Sequence, residues 1–121
     1  MINVKDQVYS ALSYVAENVS DIYPTTWESF PAIQYTEEAN NVQTRTDDRE
    51  QLAYLRYRID IWDRGSTSAT ALAVDDAVSP LGLVRIECQD VADPSGLRHK
   101  QMRYEGIIDV NNENMYWTGN R

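Results

Sequence analysis

The stretch QLAYLRYRIDIWD, from Gln51 to Asp63, alternates between apolar and polar side chains over more positions than any other segment of the chain. A period of two, rich in Tyr and Ile, predicts a β-strand with one buried face. A helix would instead scatter the charged side chains around its axis. The apolar set is Ala53, Leu55, Tyr57, Ile59 and Ile61, and the charged set is Arg56, Arg58 and Asp60. The charged face is predicted to meet solvent or another subunit.

The rest of the chain supplies further regular segments. An amphipathic helix is predicted from a cap at Asn3 to about Val19, because apolar residues recur every three or four positions. A second helix is predicted over Thr67–Ser79, where Pro80 ends it. The predicted strands are Ile33–Glu37, Gln51–Asp63, Leu83–Asp90 and His99–Asp109. Together these segments predict a single α+β domain over residues 1–121, a mainly antiparallel four-stranded sheet with two helices packed on one face.

The same patterns predict which side chains are buried. The second helix shows a narrow stripe of Leu72, Ala73, Ala77 and Val78, and Cys88 falls on the inward face of its strand as a small buried side chain. His99 is predicted to lie on the surface. The predicted core consists of Val8, Leu12, Val15, Leu55, Tyr57, Ile59, Ile61, Leu72, Val78, Val84, Ile86, Tyr104 and Ile108.

Residues Ala39 to Glu50, ANNVQTRTDDRE, interrupt the alternation and contain one sizeable apolar side chain, Val42. The segment joins two predicted strands, so it is either a long hairpin loop or a hairpin whose ends extend as a mobile β-ribbon. Its composition cannot offset the cost of ordering its backbone, about 1–2 kcal/mol per residue. The segment at about residues 39–50 is therefore predicted to be mobile in the free subunit and to order in an assembly, the alternative being a solvated connection.

Composition excludes several classes of protein. The chain has 121 residues, 42% of them hydrophobic and 25% charged, which are globular values. Its net charge of −8 argues against a protein that grips phosphate backbones. The single cysteine permits no internal disulfide, which predicts a reducing compartment. The sequence shows neither a classical secretion signal nor an apolar run of membrane-spanning length, so a soluble protein without membrane partners is predicted.

The motifs of catalysis and metal binding are missing from the sequence. One histidine and one cysteine cannot build a His- or Cys-based metal site. The acidic pairs Asp47-Asp48 and Asp75-Asp76 lack the spacing of a calcium loop. The chain also carries no glycine-rich phosphate loop and no nucleophile elbow. No catalytic, cofactor-binding or metal site is predicted, no cofactor is expected, and the protein is expected not to be an enzyme.

The order of segments resembles the tail-completion, or tail terminator (tail-to-head joining), proteins of long-tailed bacteriophages. In that family a strand reading like Y-x-I-D-I-W precedes a helix and a G-x-x-R strand, and a late strand reads like K-x-M-R-Y-x-G. Here these segments are Tyr57 to Trp62, Gly82 to Arg85 and Lys100 to Asp109. The resemblance covers the chain from about Asn3 to Tyr116.

The resemblance implies a structural virion protein that caps the tail tube and joins it to the head connector. It implies a ring, commonly a hexamer, whose partners are further copies of itself, the tail tube protein and the head–tail connector protein. DNA would pass through the ring without specific binding. The protein would be assembled in the host cytoplasm and lie at the head-proximal end of the tail. In such a ring, the predicted subunit contacts are Arg45, Asp47, Asp48, Arg49, Arg56, Arg58 and Asp60.

Two other classes remain open from the sequence. The chain fits another head–tail connector or a minor capsid component. It also fits a cellular α+β protein-binding module. Electron microscopy of the purified protein would separate the classes, since rings would favour a phage tail protein.

Overall fold

The computed structural model describes residues 4–46, 49–109 and 114–116, and the side chains of residues 4–42 and 52–108. Two helices and six strands form an α+β structure. The elements are α1 (Lys5–Ser13), β1 (Asn18–Ser20), β2 (Ala32–Thr46), β3 (Arg49–Asp63), α2 (Ser68–Val78) with a 3-10 turn (Ser79–Leu81), β4 (Val84–Val91), β5 (Arg98–Asp109) and β6 (Asn114–Tyr116).

In the described residues the sheet has six strands, five of them in the order β1-β2-β3-β5-β4, with β6 paired to β5. β1 runs parallel to β2, whereas the other pairings are antiparallel. The prediction of a four-stranded antiparallel sheet was therefore wrong, because the sheet is larger and mixed. The α+β class itself is observed, and both helices contribute to one core on one face of the sheet.

The extra parallel strand exists because α1 ends earlier than its apolar spacing suggests. The helix stops at Ser13, whose hydroxyl donates to the Tyr9 carbonyl at 2.8 Å. Residues 18–20, predicted to lie in the last turn of the helix, pair with Ala32–Gln34 instead. The Asn18 amide then donates to the carbonyls of Thr26 and Ser29 at 3.1 and 3.2 Å, which fixes the new strand beside β2.

Most of the predicted core is confirmed. The apolar face of β3 is fully buried and packs with both helices and β5. The buried cluster comprises Val4, Val8, Leu12, Ile33, Tyr35, Ala53, Leu55, Tyr57, Ile59, Ile61, Ala71, Val74, Val78, Leu83, Met102, Tyr104 and Ile108. Val15 is partly buried and packs against this cluster.

The burial predictions were wrong on α2 and on β4. The buried side chains of α2 are Ala71, Val74 and Val78, so the helix is rotated from the predicted stripe and Leu72 is 68% exposed. On β4, the register shifts between Arg85 and Glu87. The bulge changes the alternation, since the extra residue has no partner across the strand. Ile86 is consequently 40% exposed, and Cys88 is exposed rather than buried. Val84, also predicted to lie in the core, is only partly buried and lies outside the core cluster.

The segment predicted as a loop or ribbon belongs to a long hairpin. β2 and β3 have 15 residues each and pair as far as Thr46 opposite Arg49. Of the two alternatives, the structure shows the extended hairpin. Its register is broken between Glu37 and Ala39 and again beyond Val42. Asp47 and Asp48 lie outside the described residues, and the mobility of the segment stays a prediction.

Candidate functional site

The face of the sheet opposite the helices carries the polar side chains and is called the open face below. Because strand side chains alternate, Arg56, Arg58 and Asp60 lie on the side opposite the buried Leu55, Tyr57 and Ile59. Their partners across β5 are Glu105, Arg103 and Gln101. The open face includes Gln34, Thr36 and Glu38 of β2, Tyr54, Arg56, Arg58, Asp60 and Trp62 of β3, His99, Gln101, Arg103 and Glu105 of β5, and Val84, Glu87, Gln89 and Val91 of β4.

Glu38 is the centre of this surface. It sits at the β2 register shift and has no partner of its own on β3, so the bulge directs its side chain onto the open face. Its carboxylate accepts from Arg56 Nε at 3.2 Å and from Arg103 Nε at 3.1 Å, and lies 3.7 Å from Arg58. The side chain is only 20% exposed, although the bulged backbone is open to solvent. One carboxylate thus ties together arginines from two strands.

Arg103 extends the network toward β4. One of its terminal nitrogens donates to Glu87 and to the Gln101 amide oxygen, both at 3.1 Å. The hydrogen bond to Glu38 raises the pKa of the Arg103 guanidinium, against the opposing effect of its desolvation. Guanidinium–carboxylate geometry is planar and directional, so these bonds fix the side chains as well as neutralise them.

Asp60 is the buried end of the network, with 3% of its surface exposed. Its carboxylate accepts from Arg58 Nε at 3.0 Å and from the Gln101 amide at 3.2 Å. Arg58 binds Oδ2, whereas the Gln101 amide and the Nε2 atom of His99, at 2.8 Å, share Oδ1. A buried carboxylate needs such partners, because an unpaired one is costly to desolvate.

His99 is part of the structure and not a surface histidine, so that prediction was wrong. The histidine pairs with Trp62 across the strands, and their rings stack at 4.5 Å. Its side chain is 11% exposed. Trp62 also donates from Nε1 to Asp93 at 3.3 Å. The ring stacking and the bond to Asp60 therefore enclose His99 on two sides.

An aromatic group covers this end of the open face. Tyr23 and Trp27 pack edge-to-face on Trp62, with ring centres 5.5 and 5.8 Å away. Phe30 stacks on Trp27 and precedes a cis bond to Pro31. The residues between β1 and β2 thus fold back over this end of the open face, beside Trp62.

The charges of the open face offset one another. Its three arginines each lie in an ion pair with a carboxylate, and four carboxylates belong to the face. The fourth, Glu105, accepts from the Tyr54 hydroxyl at 2.7 Å. The result is a rigid polar layer in which no described arginine is left to bind a phosphate group alone.

The structure brings together only some of the predicted contact residues. Arg56, Arg58 and Asp60 share the open face, but Asp60 is occupied inside the subunit. The backbones of Arg45 and Arg49 lie at the end of the hairpin, and Arg49 is seven residues along β3 from Arg56, roughly 23 Å. Contact with a neighbouring subunit stays a prediction for all of these residues.

The sequence prediction missed Glu38, His99 and Arg103. A signal for the last two was present, because placing Met102 and Tyr104 inward leaves His99, Gln101 and Arg103 on the other face of β5. Glu38 had no such signal, since its position depends on a bulge that breaks the alternation.

The described part of the chain contains neither a cluster of metal ligands nor a helix that could span a membrane. No group of three or more His, Cys, Asp or Glu side chains is arranged there to hold a metal ion. Among the same residues, no helix has the length and apolar character that crossing a bilayer requires.

Comparison with known proteins gives a likeness of fold. No protein-family model matches the sequence. No curated protein matches it either. Among solved structures, the fold is similar to a chain from the virion of a native gene transfer agent (GTA) particle, with a TM-score of 0.56 and 16% sequence identity. The match covers 81% of this chain and 88% of that chain.

Proposed function

We propose that the protein is a structural component of a phage or phage-like virion, and that it completes the tail as a ring between the tail tube and the head connector. The observation that carries the proposal is the fold, which is similar over most of its length to a chain from a gene transfer agent virion. The residue pattern that resembles tail-completion proteins supports the finer assignment. Copies of this chain, the tube protein and the connector protein are the proposed partners.

The open face has the properties expected of a channel wall that DNA passes without binding. Nonspecific DNA binding depends on cations that neutralise phosphates and release counterions. Arg56, Arg58 and Arg103 are each held by carboxylates of the same face. The net charge of −8 adds a general repulsion of phosphates. A channel wall built from this face would therefore let the genome move.

The hairpin and the helices offer surfaces for assembly. The β2–β3 hairpin remains paired as far as Thr46 opposite Arg49. On the helices, Tyr14 is 92% exposed and Leu72 is 68% exposed. Exposed pairs of charges contribute only about 0–1 kcal/mol each, so such apolar side chains supply affinity while charges set register.

The experiment is to locate the chain on intact particles. Gold-labelled antibody against the protein is applied to purified particles and viewed by electron microscopy, with particles lacking the protein as the control. The proposal expects label at the junction of head and tail. Label spread over the capsid would indicate a minor capsid component, and particles with no label would support a cellular binding module.

A further inference from the structure

A groove lies between the two helices, on the side of the sheet away from the open face. It has a volume of about 640 Å³. The small side chains of Ala11 and Ala77 lie in it, and the larger apolar side chains of Tyr14 and Leu81 line it as well. Tyr14 is 92% exposed, so its ring is hardly buried within the subunit. This surface is called the helix groove below.

Exposed carboxylates border the helix groove. Asp6 lines it and Asp76 directly precedes Ala77 in α2, and both aspartates are exposed. Neither forms an ion pair with another described residue. Asp75 differs, because it accepts from the Tyr104 hydroxyl at 2.8 Å and lies 3.7 Å from Arg85. The charges of Asp6 and Asp76 are therefore available to a partner.

The ends of the helices add to this negative charge. A helix is negative at its C-terminal end, where cations stabilise it and anions do not. Asp76 lies in the last turn of α2, and Tyr14 caps the C-terminal end of α1. Neither last turn contains a basic residue. A cation supplied by another molecule would therefore stabilise this end of α2.

The described part of this chain has no helix that complements the helix groove. Lys5 is the one basic residue of α1, and its ammonium lies 2.9 Å from Asp21. α2 has no basic residue. On the open face, Arg56, Arg58 and Arg103 are held by carboxylates of the same subunit. The charges therefore favour a different protein over a second copy as the occupant of the groove.

We propose that the helix groove binds a basic amphipathic helix of another protein. The apolar side chains of that helix lie against Tyr14 and between Ala11 and Ala77, and its lysine or arginine side chains pair with Asp6 and Asp76. Grooves recognise helices in this way, through apolar anchors three or four residues apart. Charges at the border set the orientation, while the apolar side chains supply affinity. Only the source of the helix, a neighbouring virion protein, rests on the proposed function.

The test measures binding of a synthetic helical peptide to the full chain. In this peptide, leucines recur every three or four residues and lysines flank them. A second peptide has the same composition in an order that breaks the spacing, and it controls for attraction by the net charge of −8. Fluorescence anisotropy is expected to show saturable binding of the first peptide only, and amide resonances in NMR are expected to shift at Ser10, Ala11 and Ala77. Equal binding of the two peptides, or shifts centred elsewhere, would overturn the proposal.

Three variants and a control decide whether the helix groove is the binding site. Tyr14→Ser removes an exposed ring without touching the core and is expected to weaken binding about tenfold. Asp6→Asn and Asp76→Asn are each expected to weaken binding about two- to fivefold, as the loss of an exposed ion pair does. Glu28→Gln removes an exposed carboxylate next to Trp27, outside the groove, and is expected to leave binding unchanged. An equal loss in all four variants, or no loss in the first three, would contradict the assignment of the site, and neither result would bear on where the chain lies in the particle.

Discussion

Replacing Glu38 by Gln is expected to destabilise the protein by weakening the centre of the open face. The change keeps the size of the side chain but removes the charge that holds Arg56 and Arg103 at 3.2 and 3.1 Å. Exposed ion pairs are worth about 0–1 kcal/mol, and charge-assisted bonds about 1.5–3 kcal/mol. Arg103 is 19% exposed and Arg56 38%, and Gln still accepts a hydrogen bond. The expected loss is therefore about 1–2 kcal/mol.

The loss is measured by urea denaturation at low salt, as a lower midpoint with an unchanged slope. Glu17→Gln is the matched control, because Glu17 is exposed and its side chain has no partner among the described residues. It removes the same charge and is expected to change the free energy of unfolding by less than about 0.5 kcal/mol. An equal effect of the two substitutions would refute the role of Glu38.

The same reasoning predicts a gain of DNA binding. Glu38→Gln combined with Glu87→Gln removes both carboxylates that hold Arg103. The double variant is expected to bind duplex DNA weakly at low salt, with a logarithmic salt slope of about −0.9 for each phosphate contacted. Fluorescence anisotropy of labelled DNA measures this. Equal binding by the parent chain would show that the ion pairs do not prevent DNA binding.

Three further predictions concern the core, pH and the hairpin. Ile59→Ala is expected to lower the free energy of unfolding by about 2–5 kcal/mol in urea denaturation, because Ile59 is fully buried. Ile86→Ala, at an exposed position, is expected to lower it by less than about 1 kcal/mol. Equal losses would contradict the assigned faces of the sheet. Burial, and hydrogen bonds to Glu37 and Asp75, raise the pKa of Tyr57 and Tyr104. Above about pH 10 these tyrosines therefore ionise only in the unfolded state. Each one lowers the free energy of unfolding by about 1.4 kcal/mol for every further pH unit. Replacing either by Phe should remove that share of the slope, and a slope that does not change would contradict the assignment. Replacing residues 43–52 by Asn-Gly joins the paired Val42 and Ala53 by a two-residue turn. The shortened protein is expected to keep its unfolding midpoint but to lose assembly, and normal assembly would make the tip a solvated connection.

The sequence predicted elements whose pattern is local. Alternation in β3 identified its apolar face correctly, because one strand in the middle of a sheet has a fixed period, but it did not show that Asp60 and Trp62 on the other face are buried as well. The predicted strand His99–Asp109 likewise placed Tyr104 and Ile108 in the core, where both are buried. The α+β class follows from these patterns and from the two helical segments.

The remaining features depend on contacts between distant segments. The short strand β1 forms because α1 ends at Ser13, and the apolar spacing continues beyond that point. Ile86 and Cys88 were misplaced by a bulge that arises from the pairing of β4 with β5. His99 is buried because β5 sets it against Trp62, which its charged neighbours in sequence do not indicate. Registers and bulges are therefore what the sequence patterns leave undetermined.

The central claim is tested most directly by growing tail tubes in the presence of this chain. The tube protein of the same particle is polymerised with and without the purified protein, and tube lengths and ends are recorded by electron microscopy. The proposed function predicts shorter tubes that carry a ring of this protein at one end. Tubes that grow to the same lengths, with no added density at either end, would contradict it.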